Sequence, residues 1–224
     1  MDLMCFSAPA SFAASAVLVA IGAALTCRVK SRRYLPLALI PVFFGIQQFA
    51  EGIVWRNFPL ESTTSLAPFA KDTFLFFAYL FWPLWIPASL WAAEKSVLRK
   101  QILALCFGIG LTLVSFLAPL IPQVEAVSYR FSIQYLFTAN SLNDANFPML
   151  GQFETLGLLF YGIATLLPLF ISAIKRAWVL GFCSAIAGIA VYLIDHLLFV
   201  SLWCFFSALI SLSLIFILPN KKGN

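Results

Sequence analysis

The chain has 224 residues, 62% hydrophobic and only 10% charged, with a formal net charge of +5. Its apolar residues gather into long runs separated by short basic or polar stretches, which excludes an ordinary water-soluble domain and reads as a polytopic membrane protein. The positive charge then reads as topology and contact with anionic lipid, and nucleic-acid binding is excluded.

Windows of about 20 apolar residues suffice to cross a bilayer. They predict an all-α, single-domain chain (1–224) with seven transmembrane helices, at roughly 8–27, 34–55, 73–93, 99–121, 153–174, 177–195 and 200–219. The N-terminus, MDLMCFSAPASF, lacks a basic region before its apolar run, so no cleaved signal peptide is expected and the first span stays. Ser7, Ser11 and Ser15 make a row at helical spacing on that span, as Ser201, Cys204, Ala208 and Ser211 do on the seventh; both rows predict close helix packing. In the third span Pro83 and Pro87 each remove a backbone donor and free a carbonyl one turn earlier, predicting a kink or a carbonyl-lined cavity.

Eleven of the 14 basic residues fall after the first, third and fifth spans and in the tail: Arg28, Lys30, Arg32, Arg33, Lys95, Arg99, Lys100, Lys175, Arg176, Lys221 and Lys222. Basic loops favour the cytoplasm, so the N-terminus is expected outside and the C-terminus inside. Trp55 and Trp203 are expected at the outer interface, Trp91 and Trp178 at the inner one. The one long connection, 122–152, would then be external. Within it Val127, Tyr129, Phe131, Ile133, Tyr135 and Phe137 recur at every second position, the pattern of a strand, a hairpin or an amphiphilic lid, or of a loop resting its aromatic side on the membrane.

The polar residues inside the spans carry the functional question. A carboxylate in the bilayer interior is costly, so such acids face a bundle interior or a cavity and have partners. Gln47 and Gln48 precede Glu51 by four and three residues, placing all three on one helical face. Asp195, His196, Ser201 and Cys204 near the sixth-to-seventh turn, and Cys5 at the start of the first span, are expected at the same outer depth. Seven spans also allow a 3+1+3 arrangement of parallel repeats, which would set Glu51 opposite Asp195 and His196.

Three uses of these atoms follow. Gln47, Gln48, Glu51, Asp195, His196 and Ser201 can line an outward-facing pocket that binds or transports a small polar or cationic ligand, a proton or a metal. Cys5, Glu51, His196 and Cys204 have the chemistry for a zinc or iron site, and hence for an intramembrane metallo-hydrolase acting on lipid. The third use is structural: a hydrogen-bond knot at Glu51, helix caps at Asp195 and His196, and a Cys5–Cys204 disulfide in a scaffold. Cys27, Cys106 and Cys183 read as small apolar residues, and no paired-cysteine metal spacing occurs. A phosphate-binding glycine loop, a dinucleotide fingerprint and HExxH are absent.

MCFSAPASF (4–12), PLALIPVFFGIQQFAEGIVW (36–55), FWPLWIP (81–87) and SLWCFFSAL (201–209) together resemble a set of bacterial integral membrane proteins of unknown function that begin with an MCFSA motif. The resemblance implies a bacterial inner-membrane location, suggests Met4 as the usual start, and implies no activity. A fainter similarity is to the seven-span zinc hydrolases that include the alkaline ceramidases, whose last helix carries a Trp-His pair. This chain has Trp203-Cys204 there and a single histidine, so a three-histidine zinc centre is out of reach.

Overall fold

The computed structural model describes residues 7–58, 66–137 and 150–219, with backbone only for 137 and 150–155. Helix α1 (Ala8–Arg28) opens on an extended Ser7, with a proline in its first turn where no backbone donor is needed. A short turn at Arg32–Tyr34 leads into α2 (Leu35–Ala38) and α3 (Ile40–Arg56), and α4 (Leu66–Leu75) continues through a π-helical turn (Phe76–Phe81) into α5 (Trp82–Ala93). After α6 (Val97–Leu117) and a 3-10 turn comes an antiparallel hairpin of β1 (Val124–Tyr129) and β2 (Ser132–Phe137). Then follow α7 (Leu150–Thr165), α8 (Leu167–Ile171), α9 (Ala177–Asp195), a 3-10 turn at His196–Leu198, α10 (Phe199–Ser211) and α11 (Leu214–Ile217).

Among the described residues five helical runs are long and apolar enough to cross a membrane: Ala8–Arg28, Arg32–Arg56, Leu66–Ala93, Val97–Gln123 and Ala177–Ile217. Leu156–Ile171 is a shorter apolar helix, so six runs stand where the sequence predicts seven. The difference arises because the last two predicted spans join without a loop. At 41 residues that run would be about 60 Å long if straight, twice a bilayer core. It breaks instead at Asp195, which is extended as the cap of the 3-10 turn (φ −163°). The Trp203 indole then donates to the Ser184 carbonyl at 2.8 Å, so the two halves lie side by side. Trp203 is therefore packed between helices and not free at an interface as expected, whereas Trp91 and Trp178 are exposed.

The run containing α3 is the central one: 67% of its apolar window is buried, against 17% for α6. Close approach to α1 makes this possible. A Cβ on Gly45 would sit 2.6 Å from the Val19 side chain, and one on Gly52 2.6 Å from the Phe12 ring. Ser11 and Ser15, and all of Ser201, Cys204, Ala208 and Ser211, are buried, as their rows predict.

Neighbouring helices take up the carbonyls that the prolines free. Trp82 N–H bonds to the Phe77 carbonyl, five residues back. In that register the next donor would serve the Ala78 carbonyl, but residue 83 is proline and has none. Tyr161 of α7 supplies it, its hydroxyl donating to the Ala78 carbonyl at 2.5 Å. Pro87 in turn frees the Pro83 carbonyl, against which Gly110 of α6 packs.

The two ends differ. At the basic end Glu94 follows α5; its Oε1 accepts from the backbone of Lys95 and Ser96 and its Oε2 from Ala173 N–H, at 2.8, 3.1 and 2.9 Å. Burial alone would raise its pKa, but the Ser96, Ala173 and Lys95 donors and the Arg99 charge outweigh it and hold the carboxyl below 4.5. A depressed folded pKa means stabilisation present above the unfolded pKa and lost as pH falls through the folded one. Glu94→Gln should thus lower the thermal midpoint at neutral pH, and the gap from wild type should close below pH 4.5 in a detergent melting series. A gap that persists unchanged into acid would refute the assignment.

At the other end the hairpin packs over α4 and α10, with Lys71 Nζ donating to the Val124 carbonyl at 2.6 Å. The predicted alternation is met by a hairpin, but not by one face. A two-residue turn pairs Ala126 with Tyr135 and Ser128 with Ile133, so an even position on β1 shares a face with an odd one on β2. Accordingly Val124 and Ala126 are buried and Val127 is exposed, while on β2 Ser132 through Tyr135 are all buried. Arg130 in the turn has φ 52°, a left-handed conformation costing about 1–2 kcal/mol, and its guanidinium reaches Asp195 Oδ2 at 3.1 Å.

Candidate functional site

The buried face of α3 presents Gln47 and Gln48, each 0% exposed, and Glu51, 2% exposed. Both carboxylate oxygens have a donor. Gln48 Nε2 donates to Oε2 at 3.1 Å, and Ser201 Oγ from α10 donates to Oε1 at 2.5 Å. Ser201 Oγ lies 2.9 Å from Ser132 Oγ on β2. Because the one proton of Ser201 goes to the carboxylate, Ser132 is the donor of this second bond.

Gln47 points elsewhere. The Trp82 indole donates to its Oε1 at 2.9 Å, and since an indole can only donate, the amide orientation is fixed. Its Nε2 is left buried without a hydrogen-bond partner, and so are Gln48 Oε1 and the Tyr135 hydroxyl. The Cys204 sulfur beside Gln47 is only a weak acceptor. Tyr135 stacks on Phe74 at 5.0 Å, near enough to Glu51 to feel its charge. Burial first, and then that charge, hold the phenol well above its ordinary range, so it stays a neutral hydroxyl. Each orphaned polar group costs about 1–3 kcal/mol. Two of them, on Gln48 and Tyr135, neighbour the Glu51 carboxylate, where the hydrogen-bonding pattern has room for a small polar species.

Toward the basic end lies an apolar cavity of about 80 Å³, lined among others by Phe44, Trp82, Tyr161, Leu169, Trp203 and Cys204. Thr165, Ser184, Ser207 and Ser211 also line it. The hydrogen bonds of the Glu51 carboxylate run to Gln48 and, through Ser201, to Ser132 of the hairpin.

Of the residues singled out from sequence, Gln47, Gln48, Glu51 and Ser201 come together, and Cys204 joins them as a free thiol. Asp195 and His196 do not. Asp195 accepts from Leu197 N–H at 3.1 Å as a helix cap and pairs with Arg130, and His196 is exposed beside Tyr192. The residues of the 3+1+3 expectation, Asp195 and His196, are not bonded to Glu51 and take their partners in the turn and the hairpin. Among the described residues no three His, Cys, Asp or Glu side chains gather to hold a metal; Cys5 lies outside those residues. Sequence reasoning missed Ser132, Trp82 and Tyr135. Only the alternation at 127–137 hinted that the hairpin would bury side chains.

No curated protein and no solved structure matches the chain. One family profile does, over residues 4–223, nearly the whole length. The polar cluster on α3, the hairpin over it and the apolar helices around it all fall inside that match, and the chain belongs to the family of unknown function DUF6629.

Proposed function

We propose that the chain is a seven-pass bacterial inner-membrane protein, N-terminus outside, that binds or transports a small polar or cationic species, a proton or a metal ion at Glu51. The α9–α10 run, doubled back at Asp195, supplies two of the seven passes. The basic turns at Arg28–Arg33, Lys95–Lys100 and Lys175–Arg176 support a cytoplasmic side for that end. The observation that carries the reading is a buried carboxyl group held by Gln48 and Ser201, with unpaired polar atoms on Gln48 and on nearby Tyr135. The assembly of Gln47, Gln48, Glu51 and Ser201 supports it further.

The test is infrared difference spectroscopy on the purified full chain, titrated with protons and then with sodium, potassium or zinc ions. A carboxyl C=O stretch that appears or vanishes in the titration, and is missing from Glu51→Gln, is expected. If the spectrum of Glu51 answers to none of these, the group is a fixed structural element and the reading falls.

A further inference from the structure

We infer that the species exchanged at Glu51 is a proton, delivered from the hairpin side along the hydroxyl relay Ser132–Ser201–Glu51. This rests on the binding reading above and names its ligand and route. The relay is continuous: Ser132 Oγ lies 2.9 Å from Ser201 Oγ, which lies 2.5 Å from Glu51 Oε1. Its members are 0%, 3% and 2% exposed, so nothing as large as a metal ion with its shell or an organic cation passes without parting β2 from α10. A proton needs no such passage. An external proton binds Ser132 Oγ as that hydroxyl passes its own proton to Ser201, and Ser201 passes its own to Glu51 Oε1. The oxygens stay in place; one proton leaves water and one carboxyl O–H forms. Return of the charge resets the hydroxyls in the opposite order.

Ser132 is the hairpin-side end of the relay; it is itself buried, two residues from Arg130, which is exposed and joined to Asp195. On the far side the cavity between Trp82 and Cys204 is lined mainly by apolar side chains. The titratable groups near the carboxyl are Tyr135 of β2 and Cys204 of α10, with Tyr79 of the π-helical turn beside them. All three are weaker acids than a carboxyl and leave Glu51 as the proton's destination.

The experiment follows hydrogen–deuterium exchange of the protonated Glu51 carboxyl, read as the isotopic downshift of the C=O stretch that Glu51→Gln removes. In Ser201→Ala and in Ser132→Ala exchange should slow on the order of a hundredfold, the scale of losing one positioned proton-transfer group. Ser201→Thr and Ser132→Thr, which keep the hydroxyl, should restore it. Should Ser201→Ala fail to fold, Ser132→Ala, which leaves the carboxylate its Ser201 donor, carries the test. Exchange at the wild-type rate in the alanine variants would overturn the relay. Loss of the band on adding sodium, potassium or zinc at constant pH would overturn the proton while leaving the binding reading standing. A Glu51 band that answers to neither protons nor cations would overturn both.

Discussion

Gly110→Ala is expected to lower the thermal stability of the detergent-solubilised protein by about 1–3 kcal/mol, near the upper end of that overpacking range. The added methyl would fall inside contact distance of the Pro83 carbonyl, with the rest of that residue's backbone directly behind it. A flexible side chain could swing away, whereas here α5 must separate from α6. Gly108→Ala, two residues away on the same helix, meets nothing within 4 Å. It should be neutral or stabilising, by up to about 1 kcal/mol from helix propensity. Equal melting temperatures for the two variants would show that the α5–α6 contact is not the constraint described.

Tyr161→Phe is expected to cost about 1–3 kcal/mol, the penalty of a buried carbonyl left without a donor. The Ala78 carbonyl has been stranded by Pro83, and the Tyr161 hydroxyl is its replacement. The claim has an internal check. Pro83→Ala returns a backbone N–H that can serve the same carbonyl, so Tyr161→Phe should cost much less in that background. A double-mutant cycle measured by thermal melts would show this coupling; additive effects would sink the explanation. The same π-helical turn leads directly into Trp82, so loosening it should also loosen the indole from Gln47.

What the sequence made legible was local. The three-and-four spacing of Gln47, Gln48 and Glu51 lies within one helix, and helical geometry alone puts them together. The buried row Ser201–Cys204–Ala208–Ser211 was legible for the same reason. Shared depth across helices was legible in part: Ser201 and Cys204 of α10 meet the polar cluster of α3, while Asp195 and His196 of the preceding turn take other partners. The hairpin shows a subtler limit. Alternation announced strands, but which side chains face inward depends on turn length, and a two-residue turn reverses the parity between strands. Ser132 was hidden for a different reason: β2 is buried on both faces, so a polar residue in a phase that reads as outward is nonetheless the partner of Ser201. Trp203 was misplaced because an aromatic near a span end fits equally well between helices and at a headgroup.

The Glu51–Ser201 contact joins residues 150 positions apart, and the chain is made from one end. During synthesis α3 enters the bilayer long before α10 exists, with α1 at hand to pack against through Gly45 and Gly52. Its carboxyl then has Gln48 as a neighbour and no hydroxyl. The Ser201 hydroxyl reaches it only after a further 150 residues have been made. The half-built protein is thus obliged to keep a polar stripe in lipid, and closure of that stripe is a late step of assembly. Chains truncated before α10 should accordingly be the substrates that membrane quality control removes first.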